Sequence, residues 1–322
     1  MKQATLKFAV LGALGCMSGS VFAAFENLPT TGVSVGSDTS AYIMCNTTGD
    51  FGQGIVTKPA NSSAPCAVVP ATETTVPDST YTGLSAVPIA SATRNIVMNN
   101  TYTNNTNITI GTLREWVWRK SLGGGNYECI YATKVNLTNT DYNLNVAGAQ
   151  HFEVNDLARG GWGSKTVDVA YSAIPSDADV VYRIGRTFTS VQHRSGSAGY
   201  VNQPLTGLGS SPSINGINAA SGTPTANQQK ADVDQNWINF TTDVNFNDDD
   251  GSSFPASGMF YVRTSCTSSA PTATANAIRL RQTFQELSGD GVTNNWFIEV
   301  PVTGYLPTGG SGSVTPNPTS PF

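Results

Sequence analysis

The chain has 322 residues, with 17 lysines and arginines against 22 aspartates and glutamates, and a formal net charge of −5 at pH 7. Hydrophobic residues make up 39% of the chain, which excludes a polytopic membrane protein. Only 12% of the residues are charged and 9% are aromatic, which excludes a charge-rich disordered chain. The acidic balance disfavours a phosphate-binding surface, so nucleic acid is not an expected partner.

Residues 1–23 have the pattern of a bacterial signal peptide. Two lysines precede an apolar stretch at 8–14, and Val21-Phe22-Ala23 supplies the residues that a signal peptidase reads, so we expect cleavage before Ala24. A competing reading is a lipoprotein cut before Cys16. No run of about 18 apolar residues follows Ala24, so no membrane span is expected. The sequence therefore predicts a secreted or cell-surface protein, with the periplasm as an alternative.

Removal of the leader leaves four cysteines, at Cys45, Cys66, Cys129 and Cys266. Four cysteines in an exported chain indicate two disulfides, for which three connectivities exist. Cys45 and Cys66 are close in sequence and flank a Ser/Thr/Pro-rich loop, so we favour the pairs Cys45–Cys66 and Cys129–Cys266.

The apolar pattern has a period of two in several segments, and no dozen residues show the periodicity of a helix. The clearest unit is a hairpin at 113–135, in which Leu113–Lys120 and Tyr127–Val135 flank a glycine-rich turn. We expect Lys120 to pair with Tyr127. Further strands are predicted at Thr166–Tyr171, Val180–Gln192, Trp237–Phe246, Met259–Cys266, Ala277–Phe284 and Trp296–Val302.

Within Trp237–Phe246, apolar Ile238 and Phe240 share one parity, and polar Asn239 and Asp243 share the other. Strands with one dry and one wet face are typical of two sheets packed together. The expected fold class is all-β, an antiparallel β-sandwich of jelly-roll or Ig-like type.

Two long irregular stretches interrupt the strands, at Asn46–Ala90 and Arg194–Ala231. We divide the mature chain into a β-rich part at 24–193, a loop or linker at 194–231, a second β-rich part at 232–306 and a flexible tail at 307–322. The two β-rich parts form either one sandwich or two packed domains.

A turn after the strand at 237–246 concentrates oxygen ligands at Asn245, Asn247, Asp248, Asp249 and Asp250. Hard oxygen ligands suit Ca²⁺, which would relieve the repulsion among the three carboxylates. The spacing does not match an EF-hand, and a solvated β-turn is the alternative. No other cofactor is indicated.

Trp237 shares the polar parity of its strand, so we expect its ring to be exposed and available to stack on a sugar. Gly32-Val33-Ser34-Val35-Gly36 matches the pattern around a hydrolase nucleophile, but it lies nine residues after the expected cut with no helical pattern behind it. We therefore assign no catalytic residue.

The sequence favours an exported bacterial β-sandwich with a structural or adhesive role at the surface or in the matrix, and it leans against an enzyme. Expected partners are surface or matrix components, carbohydrate, or further copies of the chain. One alternative is a calcium-dependent carbohydrate-binding protein or carbohydrate-active enzyme. A second is a subunit of an extracellular fibre, which would present an unpaired sheet edge and a mobile segment after Ala24.

Overall fold

The computed structural model describes residues 25–35, 38–45, 68–69, 87–163, 165–172, 181–188, 233–247, 253–283, 297–310 and 312–315. These residues form strands and turns without a helix, so none of them forms a helix that could cross a membrane. The strands are β1 Glu26–Leu28, β2 Val33–Val35, β3 Asp38–Ser40, β4 Tyr42–Met44, β5 Val68–Val69, β6 Ala90–Met98, β7 Ile108–Gly123, β8 Asn126–Leu137, β9 Glu153–Arg159, β10 Val167–Ser172, β11 Val181–Gly185, β12 Ile238–Asn245, β13 Phe260–Cys266, β14 Ala273–Thr283 and β15 Phe297–Tyr305.

Two sheets pack face to face, which confirms the predicted β-sandwich. The first sheet has the order β1-β10-β13-β8-β7-β6, with β5 added in parallel to β10. The second has the order β15-β14-β9-β12-β11-β4, and its strands are antiparallel. Strands from before and after residues 194–231 alternate in both sheets, so the two β-rich parts of the chain share one core.

The core lies between the sheets and follows the predicted parity. In the second sheet Leu157, Phe240 and Leu280 occupy register-paired or neighbouring inward positions on β9, β12 and β14, and all three are fully buried. Phe240 meets Phe260 of the first sheet with ring centroids 5.1 Å apart. Apolar contact of this kind supplies most of the free energy that holds two sheets together.

The predicted hairpin is present, but its predicted register is wrong by one residue. Lys120 pairs with Glu128, and Ser121 pairs with Tyr127. Gly123, Gly124 and Gly125 all have positive φ, and the register shifts between Ser121 and Gly123. A bulge at Leu122 therefore places one extra residue in β7, and the two-residue turn Gly124-Gly125 closes the hairpin.

The outward faces of the central strands are buried as well, so the expectation of a wet outer face is wrong there. On β12 the outward side chains of Asn239 and Thr241 are fully buried, and Asp243 is half-buried. On the first sheet Trp118 and Tyr261 belong to a second buried cluster on its outward face. A period-two pattern therefore separates the two faces of these strands but does not tell which face is exposed.

Several boundaries differ from the predicted ones. The strand predicted at Val180–Gln192 ends at Gly185, and β1 to β4, β6 and β9 are not among the predicted strands. The loop predicted at Asn46–Ala90 contributes β5, and most of it lies outside the described residues, as does 194–231. The beginning of the predicted flexible tail is packed on the sandwich, since Thr308 N donates to Tyr131 Oη at 3.2 Å.

Candidate functional site

The disulfide Cys129–Cys266 is confirmed, with the two Cα atoms 5.8 Å apart. It links neighbouring strands β8 and β13 and closes a sequence separation of 137 residues. Cys45 is also disulfide-bonded, while its predicted partner Cys66 lies outside the described residues. The pair Cys45–Cys66 stays a prediction.

A buried ion-pair cluster joins the two sheets at Glu115 of β7. Its carboxylate accepts hydrogen bonds from Arg94 of β6, from Arg159 of β9 at 2.9 Å and from the backbone N–H of Tyr305 at 3.2 Å. Arg159 also donates to the Thr133 hydroxyl and to the Tyr305 carbonyl. Burial raises the pKa of Glu115, and the two arginines and the Tyr305 N–H act in the opposite direction.

A row of polar side chains crosses the outward face of the second sheet at one level of the register. It contains Arg183 of β11, Thr241 of β12, Asp156 of β9, Arg281 of β14 and Glu299 of β15. The first four are buried to 1% exposure or less. Arg281 Nε donates to Glu299 Oε2 at 3.0 Å, and Arg279 Nη1 donates to Glu299 Oε1 at 2.6 Å. The charged side chains on this face therefore form hydrogen bonds between neighbouring strands, here β14 and β15.

Trp237 is fully buried, so its expected exposure as a sugar-stacking ring is wrong. Its ring lies on Ala158 and against Phe188, with the Phe188 and Trp237 centroids 4.6 Å apart. Gly160 leaves room for the indole, because a Cβ there would come within 3.0 Å of it. Trp237 does lie on the same face of the sheet as Asn239, as its position in the alternating pattern predicts, but that face is buried at this point.

The predicted acidic turn is only partly described. Asp248, Asp249 and Asp250 lie outside the described residues, and Asn247 is exposed. Asn245 is buried, its Oδ1 accepts from Phe254 N at 3.3 Å, and its Nδ2 donates to Asp243 Oδ1 at 2.9 Å. Within the described ranges no group of three metal-ligating side chains occurs. The calcium site therefore stays a prediction.

Residues 99–107 and 138–151, which we call the loop platform, form one surface at the end of the sandwich. Leu144 N donates to the Tyr102 carbonyl and Asn145 Nδ2 donates to the Thr101 carbonyl, both at 2.9 Å. Beneath these bonds the buried Tyr142 ring makes edge contacts with Tyr102 and Phe152, at centroid distances of 5.9 and 6.0 Å. The two loops are thus fixed to each other and to the core.

The loop platform shows amide side chains to solvent on a rigid backbone. Asn104 and Asn105 are exposed and adopt positive φ values of 52° and 57°, a conformation that asparagine tolerates better than most residues. Asn100 Oδ1 accepts from the N–H groups of Tyr102 and Thr103, and Asp141 Oδ1 accepts from two further N–H groups. Short local bonds of this kind hold a loop in one conformation.

Neither the loop platform nor the buried ion pairs is predicted from the sequence. The asparagine-rich runs at 99–107 and 138–145 were the available signal for the platform, because such runs are typical of Asx turns. Nothing in the local pattern separates the buried Glu115 or Arg159 from a surface charge. Ser34, in the hydrolase-like motif, lies in the short hairpin β2–β3 and not at a strand-to-helix turn.

The chain was compared with models of protein families, with curated proteins and with solved structures, and none of the three comparisons found a match.

Proposed function

We propose that this protein is an exported, non-catalytic β-sandwich that acts as a structural or adhesive component of the cell surface or matrix. The observation that carries the proposal is the loop platform, which presents exposed amides on a backbone already fixed in one conformation. A preorganised polar surface loses little conformational entropy when it binds, which favours contact with polar matrix components.

The charged residues of the fold support a scaffolding role. A catalytic acid, base or nucleophile must reach its substrate. The carboxylate of Glu115 is enclosed by two arginines, Glu299 is bound by two more, and Asp168 is bound by Arg263 at 2.6 Å. These contacts and the cross-strand disulfide fasten the sandwich, as a protein outside the cell requires.

The test is whether the mature chain from Ala24 retains cells or matrix through the loop platform. Purified protein is coated on a surface, and attachment of the producing cells or of their isolated matrix is measured. The variant N104G/N105G removes two exposed amides and keeps the positive φ that glycine also accepts. We expect it to lose most of the attachment.

The matched control is L122S/N126S, at the tip of the β7–β8 hairpin. Both residues are exposed, with Leu122 at 58%, and the tip lies at the opposite end of β7 from the loop platform. This control should attach like the unmodified protein. Equal attachment by all three proteins, or none by any of them, would contradict the proposal.

A second candidate is calcium-dependent carbohydrate binding at the same end of the sandwich. The observation that favours it is the contact between His151, in the loop platform, and Phe246, two residues before the predicted calcium ligand Asp248, with ring centroids 5.4 Å apart. Attachment that needs calcium and is inhibited by soluble matrix polysaccharide would favour this candidate. The response of the unfolding temperature to calcium tests the metal itself.

A further inference from the structure

Arg186 follows β11 at the end of the sandwich opposite the loop platform, and its guanidinium is fully buried. Its Nη2 donates to three backbone carbonyls, those of Gly163 at 2.6 Å, Lys165 at 2.8 Å and Gln235 at 3.3 Å. These bonds fix the guanidinium between the loop after β9 and the turn before β12. Arg186 is therefore held in place by main-chain groups rather than by a carboxylate.

The other nitrogens of Arg186 have no hydrogen-bond acceptor. Nε and Nη1 are buried and unpartnered, so three of the five N–H groups of the guanidinium are unmatched. No carboxylate in the described ranges lies within ion-pair distance of this side chain, and Asp234 attracts it only from farther away. Burial outweighs that attraction and lowers the pKa of Arg186 to about 10.

Buried cations are ordinarily paired, because an unpaired charge in the interior is costly. Buried N–H groups are likewise almost always matched by an acceptor, which can be a bound ion or water. Lys165 contributes its carbonyl to Arg186, while its own Nζ donates to the Ser265 carbonyl at 2.8 Å. The guanidinium of Arg186 thus has more N–H donors than the described acceptors around it can match.

We propose that Arg186 is the binding site of one small anion, held at Nη1, whose two N–H groups are both unmatched. The carbonyl-bound Nη2 prevents the bidentate grip that a guanidinium usually gives a carboxylate, so the site suits a compact acceptor such as a halide ion. Gln235, whose carbonyl accepts from Arg186, has an exposed side chain, so the guanidinium lies close beneath the protein surface.

The first experiment measures thermal unfolding of the mature chain in sodium chloride and in sodium gluconate at matched ionic strength, gluconate being too large for the site. Chloride should raise the unfolding temperature by about 2 °C for each tenfold increase above its Kd. Gluconate should have no such effect. Identical unfolding curves in the two salts would overturn the proposal.

The variant R186M removes the donors and should abolish the chloride response. Arg119 is the matched control, since its Nη1 also donates to three backbone carbonyls, those of Thr267, Ser268 and Ser269, but its side chain is half-exposed. R119M should keep the full chloride response. A response that survives in R186M, or that is lost equally in R119M, would contradict the assignment to Arg186.

Diffraction at the bromide absorption edge keeps the proposal testable if R186M does not fold. Crystals of the unmodified protein in sodium bromide should show an anomalous peak within hydrogen-bonding reach of Arg186 Nε or Nη1. Ordered water alone at these nitrogens, with bromide only on the outer surface, would overturn the proposal.

Discussion

The Glu115 carboxylate and the Arg159 guanidinium meet 2.9 Å apart between the two sheets, and both side chains are almost completely buried. The pair joins β7 of the first sheet to β9 of the second. Tyr305 of β15 completes the link, because its carbonyl accepts from Arg159 and its N–H donates to Glu115. Arg94 of β6 pairs with Glu115 within the first sheet, and docking of the second sheet adds Arg159 and the Tyr305 N–H.

Replacing Arg159 with methionine should lower the free energy of unfolding by about 3–5 kcal/mol, because Glu115 then remains buried with Arg94 as its single guanidinium partner. The loss should depend on pH. Burial already raises the pKa of Glu115, and the missing guanidinium would raise it further. A raised carboxyl pKa gives stability that is complete below about 4.5 and is lost as pH rises through the folded-state pKa.

Urea unfolding of the unmodified protein and of R159M at pH 4.5 and pH 7 checks this prediction. The difference between them should be larger at pH 7. The control is R263M, whose partner Asp168 is bound at 2.6 Å on the half-exposed outward face, and it should cost about 1 kcal/mol or less. An equal cost of R159M at both pH values would show that Glu115 is not the group that responds.

The disulfide Cys129–Cys266 should contribute more stability than the predicted pair Cys45–Cys66. In the chain-entropy model, a closed loop of over a hundred residues is worth about 4.7 kcal/mol, against about 3 kcal/mol for a loop near twenty. Denaturant unfolding of C129S/C266S and of C45S/C66S measures the two costs. A larger loss in the second variant would contradict the ranking, and free thiols in the unreduced protein would contradict the pairing.

Trp237 should act as a core residue. W237A should cost about 3–5 kcal/mol, because it leaves a cavity against Phe188 and Ala158. W237F should cost clearly less, since it keeps a ring there and loses no hydrogen bond, the indole Nε1 being unpartnered. Unfolding of both variants, with attachment measured in parallel, tests this. Loss of attachment in W237F without loss of stability would instead restore Trp237 as a ligand-binding residue.

The alternation of side chains identifies most strands because every second residue, the one that faces the other sheet, is apolar and buried. It fails for the outward parity, since Asn239, Thr241 and Trp237 are fully buried. It also fails for β9, in which Glu153, Asn155, Asp156 and Arg159 are all buried. Such residues resemble a polar loop until their partners, such as Arg281 beside Asp156, are brought alongside by the sheet. The local pattern of residues predicts where strands lie. The pairing of strands that are distant in sequence determines which buried positions can hold a charged side chain.

The loop platform and the Arg186 site also combine features that are visible in the sequence with features that depend on contacts between distant segments. The loop platform depends on asparagines whose turn chemistry is visible in sequence, but its rigidity comes from Tyr142 packing between Tyr102 and Phe152. Arg186 is one arginine among many in the sequence. Its burial follows from the approach of two separate backbone segments, the loop after β9 and the turn before β12, which no local pattern specifies.

The acidic turn at residues 248–250 should respond to calcium. If Asp248, Asp249 and Asp250 bind Ca²⁺ with Asn245 and Asn247, a chelator should lower the unfolding temperature by leaving three like charges on adjacent residues. Calcium at a hundred times its Kd should restore about 2.7 kcal/mol. Magnesium at matched ionic strength should not replace a bound calcium ion, because Mg²⁺ demands a near-ideal octahedral site. A solvated turn would instead respond about equally to both cations, through screening. The variant D248N/D250N should remove the calcium response. Identical unfolding curves in chelator, calcium and magnesium would assign the three aspartates to a solvent-facing turn and leave attachment to the loop platform alone.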